Sequence, residues 1–204
     1  MRPFRRVSAP VAVLDRADVD TDQIIPKQFL KRIERTGFGQ FLFFDWRLDA
    51  DGRPRPEFEL NDPDCVGAKI LIAGANFGCG SSREHAAWAL QDYGFEVVIA
   101  PSFGDIFAMN CFKIGLVTIV LPPAELRRLI DSVAGGAVAE VDLERQLIVD
   151  PAGREIPFDF DPFRRECLLN GLDDIARSLT HEDRIEAYET SHAPRVNTLA
   201  LSAR

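Results

Sequence analysis

The chain of 204 residues lacks an apolar run approaching the roughly 20 residues that a helix needs to span a bilayer. Its first residues, Met-Arg-Pro-Phe-Arg-Arg, are basic and are not followed by the apolar stretch and small-residue cleavage site of a signal peptide. These two absences argue against a membrane protein and against a secreted one, and we expect a cytoplasmic location.

Positive charge is in deficit, with 24 Lys and Arg against 32 Asp and Glu and a net charge of −8. Nucleic-acid binding needs a basic face, so the composition argues against a nucleic-acid partner. It does not exclude a small anionic substrate, because local hydrogen-bond donors rather than net charge attract such a ligand.

Metal-ligating residues are few and scattered. The chain has three histidines, of which His181 and His192 lie in a polar region without an accompanying motif and are expected at the surface. No two of the four cysteines are close enough for a CxxC or ferredoxin-like motif: they are Cys65, Cys79, Cys111 and Cys167. We therefore expect no metal site in this chain.

Strands and helices alternate in the middle of the sequence. The predicted order is strand 69–73, helix 82–93, strand 96–100, helix 103–111, strand 116–121 and helix 123–133. Such alternation implies parallel strand pairing with right-handed crossovers. The pattern predicts an α/β fold with a mainly parallel central sheet and flanking helices.

The two ends of the chain differ from the middle. A strand interrupted at Pro10 is predicted over residues 4–14, and a short helix is predicted to start at Pro26. After the alternating region the sequence predicts a small β-rich segment and then three helices: strands 138–143, 147–149 and 155–158, and helices 162–170, 172–178 and 181–189. With no linker composition in between, we predict one domain over 1–192 and a flexible tail over 193–204.

The most informative segment is the glycine-rich loop at 74–80 with the polar residues after it. A Ser-x-x-Glu pattern before a helix is typical of a capping box, which would make Ser81 a cap completed by Glu84. The glycines, the free amides of a helix N-terminus and the guanidinium of Arg83 also suit a bound carboxylate or phosphate. We therefore predict an anion-binding turn at the carboxyl end of a strand.

Three better-known motifs do not match this segment. A Walker A motif requires a lysine before the serine, and none precedes Ser81. A dinucleotide-binding fingerprint requires a third glycine where Arg83 stands, and a nucleophile elbow requires a glycine at the same position.

Two motifs point to a known family. The run Asn-Phe-Gly-Cys-Gly-Ser-Ser-Arg-Glu-His-Ala at 76–86 resembles the signature of the aconitase swivel domain, and Asp-Thr-Asp-Gln-Ile-Ile-Pro at 20–26 resembles its second motif. Further segments resemble the small subunits of the family's isopropylmalate dehydratases: 29–32, 36–39, 45–47, 100–103, 163–165 and 170–173. The resemblance covers about residues 4 to 190.

The resemblance implies roles for individual residues. Ser81 would be the base that takes a proton from the substrate carbon, and Ser82 and Arg83 would bind a substrate carboxylate. Supporting roles around the turn would fall to Asp22, Glu84 and His85. Serine is a weak base, and a helix N-terminus beside an arginine would stabilise its alkoxide.

Segment 29–36 is similar to the family's substrate-discriminating loop. The resemblance implies that Lys31 and Arg32 contact the substrate. The alternative is that these residues, together with Arg35, are only solvated charges at the end of a short helix.

The resemblance implies a hydro-lyase subunit that acts on a hydroxy-dicarboxylate. Its reaction would isomerise 2-isopropylmalate to 3-isopropylmalate through 2-isopropylmaleate, a step of leucine biosynthesis. The chain would be active only in a heterodimer, or a higher assembly, with a large subunit that carries a 4Fe–4S cluster. The aromatic segment 38–46 would be either a core patch or a contact with that subunit.

Two alternatives remain open from the sequence. The chain could be the small subunit of another aconitase-type enzyme, such as a homoaconitase or a citraconate/methylmalate hydratase, which differs only in its substrate. It could also be a non-catalytic carboxylate-binding module in which Ser81 only caps a helix.

Overall fold

The computed structural model describes residues 1–31, 34, 36–81 and 83–192, and its centre is a seven-stranded sheet with the order β4-β3-β2-β1-β5-β6-β7. The strands are β1 Arg6–Leu14, β2 Ile70–Ala73, β3 Val97–Ala100, β4 Val117–Val120, β5 Val138–Asp142, β6 Leu147–Val149 and β7 Glu155–Pro157. The helices are α1 Thr21–Ile24, α2 Phe44–Arg47, α3 Glu84–Tyr93, α4 Asp105–Ile114, α5 Pro123–Ser132, α6 Pro162–Asn170, α7 Asp174–Leu179 and α8 Glu182–Ser191.

Strands β1 to β4 pair in parallel and form the buried half of the sheet. All residues of β2 and β3 are buried, and successive residues of β2 belong to two different cores on opposite faces. Ile70 and Ile72 contribute to one core, and Leu71 and Ala73 to the other. This two-sided burial explains the continuous apolar runs, and the predicted α/β fold with flanking helices is confirmed.

Strands β5, β6 and β7 extend the sheet with antiparallel pairs and correspond to the predicted β-rich segment. The predicted interruption of β1 at Pro10 is wrong, because the strand runs through it. Antiparallel pairing with β5 ends at Pro10, opposite Val138, and parallel pairing with β2 begins at Val11. The missing N–H of proline therefore falls at the end of one ladder, where it interrupts neither.

The short helix predicted to start at Pro26 is the 3-10 helix Lys27–Lys31. A helix that was not predicted, α1, precedes it and begins at Thr21. Its N-cap is Asp20, whose carboxylate accepts a bond from the Gln23 N–H at 2.8 Å, while the Gln23 side chain accepts from the Asp20 N–H at 2.8 Å. This reciprocal capping box starts the helix. The residue before Pro26 is biased away from helical geometry, so α1 ends there and a 3-10 turn, Lys27–Lys31, follows.

The aromatic segment 38–46 is mainly part of the core. Phe38 and Phe43 have no exposed surface, and Phe41 and Trp46 pack partly buried against the same core. The ring of Phe29 stacks on Phe41 at 4.0 Å. Of the two alternatives for this segment, the core patch is the one that applies to Phe38 and Phe43, whose buried aromatic rings stabilise the fold.

The C-terminal part of the described chain is the most exposed. Every residue of α8 is exposed, and His181 and His192 lie at the surface as predicted. The predicted tail, 193–204, lies outside the described residues. Across 1–31, 34, 36–81 and 83–192, no helix has the length and apolar content required to cross a membrane.

Candidate functional site

The loop between β2 and α3 lies across the carboxyl ends of the parallel strands. The Gly78 N–H donates to the Val19 carbonyl at 2.7 Å, which attaches the loop to the segment after β1. The Phe77 N–H donates to the Ser102 carbonyl at 3.1 Å, and the Gly104 N–H donates to the Phe77 carbonyl at 2.9 Å. The loop is therefore fixed on both sides at the sheet edge where open α/β folds bind ligands, as predicted.

Replacement of Gly78 by any other residue would strain both the backbone conformation and the packing of the loop. Its φ is +74°, in the left-handed region that favours glycine. A Cβ at this position would lie 2.2 Å from Cγ of the Phe107 ring, which is itself buried and packs edge-on against Phe77 at 5.5 Å. The backbone of the loop at Gly78 therefore packs directly against Phe107 of α4, with no space for a side chain.

We expect Gly78→Ala to destabilise the protein by about 2–5 kcal/mol, because it combines left-handed strain with overpacking. Gly153→Ala is the matched control, since Gly153 has a φ of +82° but no atom within 4 Å of the added Cβ. The control should lose only the backbone cost of about 1–2 kcal/mol. Urea unfolding of both variants measures the difference. If both variants lost the same free energy of unfolding, the Phe107 ring would accommodate the added methyl group without cost, which would contradict the overpacking.

Ser81 is exposed and lies outside the helix it was predicted to cap. Helix α3 begins at Glu84, its N-cap is Arg83 in an extended conformation, and no side chain of the N-cap closes the first turn. The predicted capping box of Ser81 and Glu84 is therefore wrong. The physical reason is the left-handed turn at Gly80, with a φ of +84°, together with the extended conformation of Arg83, which starts the helix only at Glu84 and leaves Ser81 before the first helical turn.

The two motifs, 20–26 and 76–86, meet at this loop. Asp20 and Cys79 form a parallel bridge, and the Thr21 N–H donates to the Cys79 carbonyl at 3.1 Å. The Thr21 hydroxyl donates to the Ser81 carbonyl at 2.5 Å. Segments that are distant in sequence thus form one site.

Arg83 is a cationic residue two positions after Ser81. It forms an ion pair with Asp22, whose second carboxylate oxygen lies 3.2 Å from the Lys27 ammonium. The Arg83 side chain is 12% exposed and the Lys27 side chain 72% exposed. A half-buried guanidinium is a strong and directional donor, so Arg83 rather than Lys27 suits a carboxylate ligand.

The other predicted supporting residues lie on the first turn of α3. Glu84 is exposed, and its carboxylate is favourably placed near the positive end of the helix. His85 is half-buried, with its ring 5.1 Å from Phe38 and 4.8 Å from Trp88. Burial lowers the pKa of His85; Glu84 opposes this effect and Arg83 adds to it. His85 therefore favours the neutral form and packs α3 against the aromatic segment.

The remaining predicted site residues are placed only in part. Lys31 is exposed at the end of its 3-10 turn. Ser82 and Arg32 lie outside the described residues. The structure therefore brings Ser81, Arg83 and Asp22 together in the part of the chain that it describes.

Comparison with known proteins identifies the family. Residues 1–124 match the family model of the aconitase C-terminal domain, and residues 127–162 match the model LeuD_N. The chain is 57% identical over 196 residues to the 3-isopropylmalate dehydratase small subunit of Geobacillus kaustophilus, covering 96% of this chain and 100% of that protein. This chain belongs to the family of 3-isopropylmalate dehydratase small subunits.

A second small subunit and a solved structure support the same family assignment. The small subunit of Bacillus subtilis is 56% identical over 194 residues, covering 95% of this chain and 98% of that protein. The crystal structure of 3-isopropylmalate dehydratase (LeuD) from Methanocaldococcus jannaschii has a TM-score of 0.65 and 27% identity, covering 90% of this chain and 99% of that one. The family resemblance inferred from the motifs is confirmed.

Metal-ligating side chains are scattered in the described part of the chain. Within residues 1–31, 34, 36–81 and 83–192, no three His, Cys, Asp or Glu side chains are grouped to hold a metal ion. Cys111 and Cys167 are buried and separate. Burial, followed by Asp20 and Asp18, raises the pKa of Cys79 and so disfavours the thiolate that would ligate iron.

Sequence reasoning missed Thr21, which donates hydrogen bonds to the Cys79 and Ser81 carbonyls and so anchors the loop. A signal for it was present, since Asp-x-x-Gln at residues 20–23 fits the capping-box pattern as well as Ser-x-x-Glu does. That pattern would have placed Thr21 in a first helical turn.

Proposed function

We propose that this chain is the small subunit of a 3-isopropylmalate dehydratase, which converts 2-isopropylmalate to 3-isopropylmalate through 2-isopropylmaleate in leucine biosynthesis. The names and full-length similarity of its relatives support the substrate. The observation that carries the mechanism is the exposed Ser81 next to the Arg83–Asp22 pair, on a loop fixed at the carboxyl edge of the sheet.

In this mechanism Ser81 is the base. Its Oγ takes the proton from the substrate carbon next to a carboxylate, and the electron pair left on that carbon spreads onto the carboxylate. We propose that the Arg83 guanidinium and the N-terminal amides of α3 stabilise this developing charge. Loss of the hydroxyl group as hydroxide from the neighbouring carbon then forms the carbon–carbon double bond of 2-isopropylmaleate. In the rehydration the proton held by Ser81 returns to the carbon that lost the hydroxyl group, and hydroxide adds to the carbon that lost the proton.

Substrate binding uses the same cationic group. Arg83 is already oriented by Asp22 before a ligand arrives, which lowers the entropy lost on binding. We propose that Ser82 shares the carboxylate with Arg83, and that Lys31 and Arg32 contact the rest of the substrate. The supporting residues are Asp22, Glu84 and His85.

The partner supplies the other half of the site. Since the described residues offer no metal site, we propose that the 4Fe–4S cluster belongs to the large subunit, in a heterodimer or a higher assembly of the two chains. Ser81 is exposed, and we propose that the edge of the sheet that carries it faces that subunit. The cytoplasmic location expected from the sequence stays a prediction.

Reconstitution tests this proposal. We expect the purified chain alone to be inactive and without iron–sulfur absorbance, and the mixture with a large subunit to dehydrate isopropylmalate. The mixture should prefer 2-isopropylmalate to homoaconitase or citraconate/methylmalate hydratase substrates by about tenfold or more in kcat/KM, as one apolar group in a pocket can provide.

Each alternative has its own outcome in the same assay. Activity of the isolated chain would overturn the half-site model. A reversed substrate preference would identify another aconitase-type hydro-lyase. Binding of dicarboxylates without turnover in any mixture would identify a carboxylate-binding module.

A further inference from the structure

Thr21 is an unusual residue in this fold because it is polar and 1% exposed. In the part of the chain that the structure describes, only three polar or charged residues are buried: Thr21, Asn110 and Asp150. Burial of a hydroxyl is costly unless it forms a hydrogen bond. The acceptor of the hydrogen bond from the Thr21 hydroxyl therefore indicates the structural role of this buried residue.

Both donors of Thr21 point to the site loop. The backbone N–H donates to the Cys79 carbonyl at 3.1 Å, and the hydroxyl donates to the Ser81 carbonyl at 2.5 Å. These two carbonyls lie on either side of Gly80, the residue at which the loop turns with a φ of +84°. One buried residue thus holds both sides of the turn that presents Ser81.

Thr21 is itself held firmly. It is the first residue of α1 and lies between Asp20 and Gln23, the two residues of the capping box, and its carbonyl accepts from the Ile25 N–H at 3.0 Å. The next residue, Asp22, pairs with Arg83. The start of α1 is therefore a rigid support against which the loop is positioned.

The Ser81 carbonyl belongs to the peptide group that follows Ser81, so its anchor fixes the backbone torsion ψ of that residue. Since Ser81 is exposed and is not part of a helix, this anchor limits the directions in which its hydroxyl can point. We propose that Thr21 is a positioning residue that orients Ser81 for proton transfer. This inference rests on the proposed function, in which Ser81 is the base.

The test compares two substitutions at one position in the reconstituted two-subunit enzyme. Thr21→Val keeps the shape and removes the hydroxyl, and it should lower kcat by about 100-fold, as a displaced reacting group does, with KM nearly unchanged. Thr21→Ser keeps the hydroxyl and should retain most of the wild-type kcat.

Thr180→Val is the matched control. The Thr180 hydroxyl also donates to a backbone carbonyl, that of Arg177 at 2.6 Å, but it is exposed at the end of α7. This variant should have wild-type kcat. A Thr21→Val complex with wild-type kcat, or a folded Thr21→Ser complex as slow as Thr21→Val, would overturn the positioning role.

Hydrogen exchange of the free chain separates this inference from the proposed function, because it needs no activity. Peptides covering 74–83 should exchange about fivefold faster in Thr21→Val than in the wild type, as expected for one lost hydrogen bond, and Thr21→Ser should match the wild type. If the wild-type complex has no dehydratase activity, the proposed function fails. Unchanged exchange in Thr21→Val overturns the anchoring of the loop on its own.

Discussion

Ser81→Ala is expected to lower kcat of the reconstituted enzyme by about 10²- to 10⁴-fold, the usual range for the loss of a general base. The thermal stability of the free chain should change by less than about 0.5 kcal/mol, because Ser81 is exposed and does not cap α3. Steady-state kinetics and thermal unfolding measure the two quantities separately.

Ser178→Ala is the control for this substitution, since Ser178 is also exposed and its hydroxyl donates to the Asp174 carbonyl at 3.0 Å, on α7. It should leave kcat unchanged. A fall of less than tenfold for Ser81→Ala, together with a stability loss of about 1 kcal/mol, would identify a structural cap and contradict the role of Ser81 as a base.

Arg83→Lys should lower kcat/KM by about 10- to 100-fold although the charge is kept, as expected when a charge-assisted hydrogen bond to a substrate carboxylate is lost. Lysine is shorter and lacks the planar fork that binds both carboxylate oxygens. Asp22 stays paired with Lys27, so the variant should fold normally. Initial rates over a range of substrate concentrations give the value.

Arg145→Lys is the control for Arg83→Lys, because Arg145 belongs to an exposed ion pair. Arg145 donates to Glu155 at 2.8 Å on the β-hairpin side of the sheet, and its replacement should leave kcat/KM unchanged. If Arg83→Lys were as active as Arg145→Lys, Arg83 would act only as a diffuse positive charge and not as a carboxylate ligand.

The α/β framework could be predicted from the sequence because apolar runs and helical periodicity are local signals. Strand β6 and helix α6 have the predicted bounds, and the other strands and helices from β2 to α8 begin and end within a few residues of the predicted positions. The order of the strands was not predictable, since it depends on which distant partners β1 takes.

The capping residues show why local patterns were insufficient at the site. Asp-x-x-Gln at residues 20–23 and Ser-x-x-Glu at 81–84 both fit a capping box, yet only the first forms one. The difference lies in the loop before α3, where tertiary contacts of Gly78 and a left-handed Gly80 determine the chain direction. The family resemblance identified Ser81 and Arg83. The capping-box pattern could place Thr21 in a helix, but its bonds to the loop became visible only in the structure.

The change of pairing along β1 has a consequence for folding. Ala9 pairs with Ala139 and Val11 with Ile70, so one continuous strand connects residues that are far apart in the chain. Contacts of such long sequence separation slow folding, because the loops must close before the pairing stabilises anything. During synthesis the parallel half can assemble once β4 has emerged, while the other edge of β1 stays open until β5 follows. Strand β1 is therefore the first strand to be synthesised but completes its pairing only after β5 has been synthesised.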